Sequence, residues 1–220
     1  MPKVFEVTIK TIPLRPLTIK PMSNQKLKNN IRETTMRVVV YCSSAESLPE
    51  SWREGASAVG RWIGEHGATL VYGGVNAGLM TETASAARAA GARIVGIVPA
   101  RRCNMASPLN DIQISVADLN ERKATMELLG DVFVVLPGGY GTLDELASTF
   151  AYINFTNQIG KHIVIYNPDG IFDPLMTQLD LLAEAGLMKR PYNDVIITTS
   201  TPAQTTAQLD RLLYIHNNHD

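Results

Sequence analysis

From Met36 onward the chain alternates between two kinds of hydrophobic pattern. Short, continuous runs of β-branched and apolar residues occupy positions 37–42, 68–72, 93–98, 132–136, 162–166 and 195–198. Between them, apolar residues recur every three or four positions across 50–66, 79–90, 119–129, 142–155, 173–185 and 201–214. Unbroken apolar strands separated by amphipathic helices predict a parallel sheet buried on both faces. Gly67, Gly91 and Gly130 follow three of the helical stretches, where a left-handed residue commonly ends a helix. With right-handed crossovers the pattern gives an α/β fold: one Rossmann-like, doubly wound parallel sheet in a single domain. Ligands of such sheets sit at the carboxyl ends of the strands.

Residues 1–35 mix Lys, Pro, Thr and Asn without a sustained period and read as an N-terminal extension, leaving 36–220 as the domain. A chain of 220 residues with 45% hydrophobic and 19% charged residues is long enough for one substantial core. A net charge of -1 supplies no global attraction for nucleic acid or an anionic membrane, so any anion site is local. Cys42 and Cys103 form no CxxC pair, and four scattered histidines lack ligand spacing, which predicts reduced thiols and no metal. No run reaches the roughly 20 apolar residues of a membrane span, and the first 35 residues lack a signal peptide's apolar centre. A cytoplasmic location is the expectation.

Candidate chemistry gathers in three loops at strand ends: Cys42-Ser43-Ser44, Gly73-Gly74-Val75-Asn76-Ala77-Gly78, and Pro137-Gly138-Gly139-Tyr140-Gly141-Thr142. Each precedes a helix, whose first N–H groups and dipole favour an anion. In the third loop, glycines let the backbone approach a phosphate while Thr142 adds a hydroxyl donor. No Gly-Lys-Ser/Thr follows, and the GxGxxG spacing is missing, which disfavours an ATP or NAD site. On local grounds a structural role stands beside the phosphate role. A glycine-rich turn also serves geometry, Thr142 to Glu145 reads as a capping box, and a lone carboxylate such as Glu145 is more often a cap than a catalyst. Arg122 and Lys123 oppose the dipole of a helix start, which points to a ligand or an acidic partner, although charge runs are usually solvated faces. Trp52, Trp62 and Met126 sit at helical positions suited to packing, and His66 is a helix-end cation.

Together, Tyr72-Gly73-Gly74 with Gly78-Leu79-Met80, Glu121-Arg122-Lys123-Ala124-Thr125-Met126 and Leu136-Pro137-Gly138-Gly139-Tyr140-Gly141-Thr142-Leu143-Asp144-Glu145 resemble the LOG (Lonely Guy) family. The likeness spans about 36–188 and includes Asn167 to Leu175. Members are cytokinin riboside 5′-monophosphate phosphoribohydrolases, often labelled "possible lysine decarboxylase". The resemblance implies a homodimeric enzyme, with no cofactor, that cleaves a nucleoside 5′-monophosphate to free base and ribose 5-phosphate. It implies Arg122 and Glu145 as catalytic residues, and Ser43, Gly73, Gly74, Lys123, Gly138, Gly139, Gly141 and Thr142 as the substrate and phosphate site. Glu145 near the anomeric carbon would stabilise an oxocarbenium-like state or orient water, and Arg122 would restrain it. Departures from the family pattern are Cys42 and Glu46 in the first loop, Thr81 after Leu-Met, Asn120, and the lack of an acidic residue over 101–110. They leave base identity open. The alternative is a nucleotide-binding sensor or cofactor carrier on the same fold; lysine decarboxylation is disfavoured because no lysine stands out as a Schiff-base residue.

Overall fold

The computed structural model describes residues 7–9, 35–158 and 160–218. Its strands are β1 (Val7–Ile9), β2 (Arg37–Tyr41), β3 (Thr69–Tyr72), β4 (Arg93–Pro99), β5 (Ile112–Val116), β6 (Val132–Val135), β7 (His162–Tyr166) and β8 (Ile196–Thr199). They form one sheet in the order β1-β5-β4-β3-β2-β6-β7-β8. Every pairing is parallel except that of β1 with β5. The helices are α1 (Glu50–Glu65), α2 (Gly78–Ala89), α3 (Leu119–Leu129), α4 (Tyr140–Phe155), α5 (Asp173–Glu184) and α6 (Pro202–Asn218).

The predicted double winding follows from the side-chain alternation. In β2, Val38 and Val40 join a core with Val59 and Ile63 of α1, Leu79 and Ala84 of α2 and Leu209 of α6. Val39 and Tyr41 face the other way, into a core with Met126 of α3, Leu146 and Ile153 of α4 and Leu175 of α5. With every residue of β6 buried, the strand cannot alternate with polar positions, and its unbroken Val-Phe-Val-Val run reflects that. Emptying one such position by Phe133→Ala costs about 3–5 kcal/mol.

Two strands escaped the sequence pattern. In β5, Ile112, Gln113, Ile114 and Ser115 are only partly buried, so apolar and polar residues mix without a continuous run. β1 lies within the stretch before Met36 and pairs antiparallel with β5 through Val7↔Ile114 and Ile9↔Ile112, so part of that extension joins the sheet edge. Positions 1–6 and 10–34 lie outside the described residues. Gly67 and Gly91 take positive φ after their helices as expected, at 64° and 91°. Gly130 does not, with φ -75°: a side chain there would strike Val39 and the Phe133 ring, so close packing rather than left-handed capping requires glycine. No helix among the described residues is long and apolar enough to cross a membrane.

Candidate functional site

From β2 the chain winds outward through β3, β4 and β5; at β6 it returns to the other side of β2 and winds through β7 and β8. Val39 therefore has Val71 on one side and Phe133 on the other. The connections leaving β2 and β6 diverge to opposite faces, which opens a crevice at their carboxyl ends. The three small-residue loops meet there. Ser43 N donates to Pro137 O at 3.1 Å, and Leu79 N donates to Ser43 O at 3.0 Å, so the first loop ties the other two together. Gly138 is packed so closely that a Cβ would strike Thr142 Oγ1 and lie 3.1 Å from Ser43 N.

The third loop differs from a capped helix start. α4 begins at Tyr140, two residues earlier than the pattern indicates, and Gly139 is its N-cap with no side-chain hydrogen bond. The Thr142-to-Glu145 capping box is therefore not formed: both residues lie inside the first two turns, and Thr142 is buried at 3% exposure. Glycine at the cap leaves the first-turn N–H groups without a side-chain acceptor. Around Gly139 and Gly141 no atom lies within 4 Å of where a Cβ would stand. The loop's backbone is thus uncrowded at these two glycines, as close approach of an anion requires.

Beside it, α3 carries the cations. Asp118 caps this helix by accepting from Asn120 N and Glu121 N, and Glu121 Oε2 accepts from Ala117 N at 2.6 Å. These acids offset the unfavourable placement of Arg122 and Lys123 near the helix start. Arg122 Nε donates to Ile97 O at 3.1 Å, and its Nη1 lies 3.4 Å from Glu145 Oε1. Both side chains are largely buried, at 16% and 12% exposure. Desolvation pushes the Glu145 carboxyl up to about 7, against the pull of Arg122; Asp144 pushes it further up and Lys123 down. A carboxyl whose burial opposes its charge, held beside a guanidinium in a crevice, makes the pair the candidate for the site's chemistry.

Of the remaining predicted residues, Gly73 abuts the pair directly: a Cβ there would collide with Arg122 Nη2 and lie 2.8 Å from Met80 Sδ. Gly74 sits behind it, buried against β4. Lys123 Nζ is held at 2.7 and 2.8 Å by the Asp144 carboxylate. Cys42 packs against the core on the α1 side, and burial and Glu145 push its thiol well above the usual range. Beneath Glu145, Tyr41 Oη and Thr149 Oγ1 share a buried 2.8 Å hydrogen bond that sequence reasoning missed. Thr149 lies one turn beyond Glu145 on α4, which was the available signal. Trp52, Trp62 and Met126 pack in the core as expected, and Trp62 Nε1 also donates to Asp210 at 2.7 Å. His66 ends α1, stacked on Trp62. Among the described residues no three or more His, Cys, Asp or Glu side chains gather as a metal set.

Fold and site define a Rossmann-like protein with an uncapped helix start, open to an anion, beside a buried Arg–Glu pair. The family model described as "Possible lysine decarboxylase" matches residues 80–209. The cytokinin riboside 5′-monophosphate phosphoribohydrolase LOG of Oryza sativa subsp. japonica is 31% identical over 185 residues, covering 81% of this chain and 74% of the relative. LOG3 of Arabidopsis thaliana, of the same description, is 29% identical over 91% of both chains. A molybdenum cofactor binding protein from Rippkaea orientalis shares the fold with TM-score 0.64 and 25% identity, over 82% of this chain and 99% of its own. The chain belongs to the LOG family of phosphoribohydrolases, the family whose model carries the lysine decarboxylase description.

Proposed function

We propose that this protein hydrolyses the N-glycosidic bond of a nucleoside 5′-monophosphate, AMP or an N6-substituted AMP of cytokinin type, giving free base and ribose 5-phosphate. The observation that carries the reading is the Arg122–Glu145 pair, 3.4 Å apart and largely buried beside an uncapped helix start. In this assignment the N–H groups of Gly139, Gly141 and Thr142, with the Thr142 hydroxyl, hold the 5′-phosphate, Gly138 lets the loop close on Ser43, and Gly73 and Gly74 back the guanidinium. Phosphate binding energy then fixes the ribose over Glu145. As the bond from C1′ to the base nitrogen breaks, its electron pair leaves with the base and positive charge grows on C1′ and the ring oxygen. Ionised Glu145 stabilises that charge and orients water, which adds to C1′ as the base takes up a proton. Arg122 anchors the ribose and phosphate side and aims the carboxylate.

We assign Lys123 a supporting role through Asp144, which holds it at 2.7 Å. A homodimer in the cytoplasm completes the reading; exposed Phe155 at the end of α4 and Leu128 on neighbouring α3 suit an interface between copies. Lysine decarboxylation finds no support from Lys161, whose lowered pKa comes from burial just before β7, at the amino-terminal end of the strands, away from the crevice. The fold shared with a molybdenum cofactor binding protein supports a second, carrier reading, in which nucleotide is bound without turnover. Comparing AMP with adenosine tests the proposal. Release of adenine from AMP at least a hundredfold faster than from adenosine is expected; equal rates would contradict a phosphate-gripping loop.

A further inference from the structure

A buried amide lies behind the Arg–Glu pair. Asn110, 9% exposed, follows the turn that returns the chain from β4 to β5. Its Nδ2 donates to Gly74 O at 3.0 Å, and its Oδ1 accepts from Tyr72 Oη at 2.8 Å. Because the Gly74 carbonyl only accepts, the amide orientation is fixed: nitrogen towards Gly74, oxygen towards Tyr72. Burial pushes the Tyr72 phenol up to about 12, so the hydroxyl stays a donor at every working pH. The amide also lies flat on Gly96, where a Cβ would stand 2.5 Å from Nδ2. Ser107 N adds a second donor to Gly74 O at 2.7 Å.

The two backbone segments that this amide touches, 72–74 through its hydrogen bonds and Gly96 through packing, are those that bracket the Arg122 guanidinium. Gly73, next to Gly74, leaves no room between its Cα and Arg122 Nη2. Ile97, next to Gly96, offers the carbonyl that accepts Arg122 Nε. We propose that Asn110 is a positioning residue: by holding the loop after β3 through Gly74 while packing on Gly96 of β4, it fixes the slot that aims Arg122 at Glu145. This rests on the catalytic reading of that pair but is measurable without turnover. A buried amide with both ends satisfied has one arrangement, whereas a hydrophobic filler would leave the loop beyond the β3–β4 pairing free to shift over Gly96.

The consequence is read at Glu145, which faces Arg122 and Lys123 from α3, Asp144 on its own helix, Tyr41 from β2 and Cys42 just after it. Arg122 pulls its titration down, so a misplaced guanidinium lets it rise further. The test is a carboxyl carbon NMR titration of Glu145, assigned with Glu145→Gln, in wild type, Asn110→Ala and Tyr72→Phe, together with AMP kinetics. Tyr72→Phe removes only the hydroxyl and serves if Asn110→Ala does not fold. Expected is an apparent pKa at least half a unit higher in the folded variants, with kcat down tenfold or more and KM changed less than threefold. An unchanged or lowered Glu145 titration in a folded variant overturns the proposal, whatever the kinetics. A raised titration in a protein that never cleaves AMP keeps the positioning role and rejects the hydrolase reading instead.

Discussion

Glu145 is a carboxyl group whose environment opposes its charge. Its ordinary value of 4.5 is pushed up to about 7 mainly by desolvation, with Arg122 only partly compensating. If the ionised form does the work, kcat/KM rises about tenfold per pH unit below that value and levels above it. A pH–rate profile that falls with rising pH across this range would instead make the group a proton donor. The same shift has a stability sign. Between 4.5 and about 7 the folded protein keeps a proton that the unfolded chain has released. This contribution is therefore full below 4.5 and is lost as pH rises through 7. Denaturant melts should show that slope in wild type and lose it in Glu145→Ala. Glu145 was legible in the sequence as a candidate because it follows the glycine loop by one turn. Its burial was not legible, because that depends on α3, β2 and α4 meeting, and neither was the competition from Asp144 that takes up Lys123.

The loop before α4 starts its helix two residues ahead of the sequence pattern, and the capping box weighed beside the phosphate role does not form. A Thr-x-x-Glu pattern ordinarily announces a cap, but the chain has already turned helical at Tyr140, with glycine at the cap. The residues around Gly139 and Gly141 are open where a Cβ would stand, and neither glycine takes a positive φ, so the resting fold has no need of glycine there. Gly139→Ala and Gly141→Ala should leave the melting temperature within about 2 °C, consistent with a surface change of under about 0.5 kcal/mol. They should raise KM for AMP tenfold or more by crowding the phosphate. Unchanged KM would show that the glycines serve neither fold nor ligand. Strands with unbroken apolar runs were visible from the pattern because they are buried on both faces. β5 was hidden by its half-buried Gln113 and Ser115, and β1 by its position in a polar, aperiodic stretch.

At the scale of the whole molecule, the reversal of strand order between β2 and β6 brings segments nearly a hundred residues apart into one crevice. The alternation of strands and helices predicted the reversal in kind. Its location at β2 and β6 follows from pairings no local pattern contains. Exposed Phe155, at 80%, and Leu128, at 69%, lie on the adjacent helices that carry Glu145 and Arg122. Sedimentation should give twice the chain's mass, and the double substitution Leu128→Glu, Phe155→Arg should halve it; a monomeric wild type would remove the dimer from the account. Hydrolysis at Glu145 is tested by incubating wild type and Glu145→Ala with AMP while following adenine, ribose 5-phosphate and bound nucleotide. The account predicts equal release of both products by wild type, and a loss of at least a hundredfold in a folded mutant that still binds AMP. Tight AMP binding by wild type with no product, or undiminished turnover by the mutant, would contradict it.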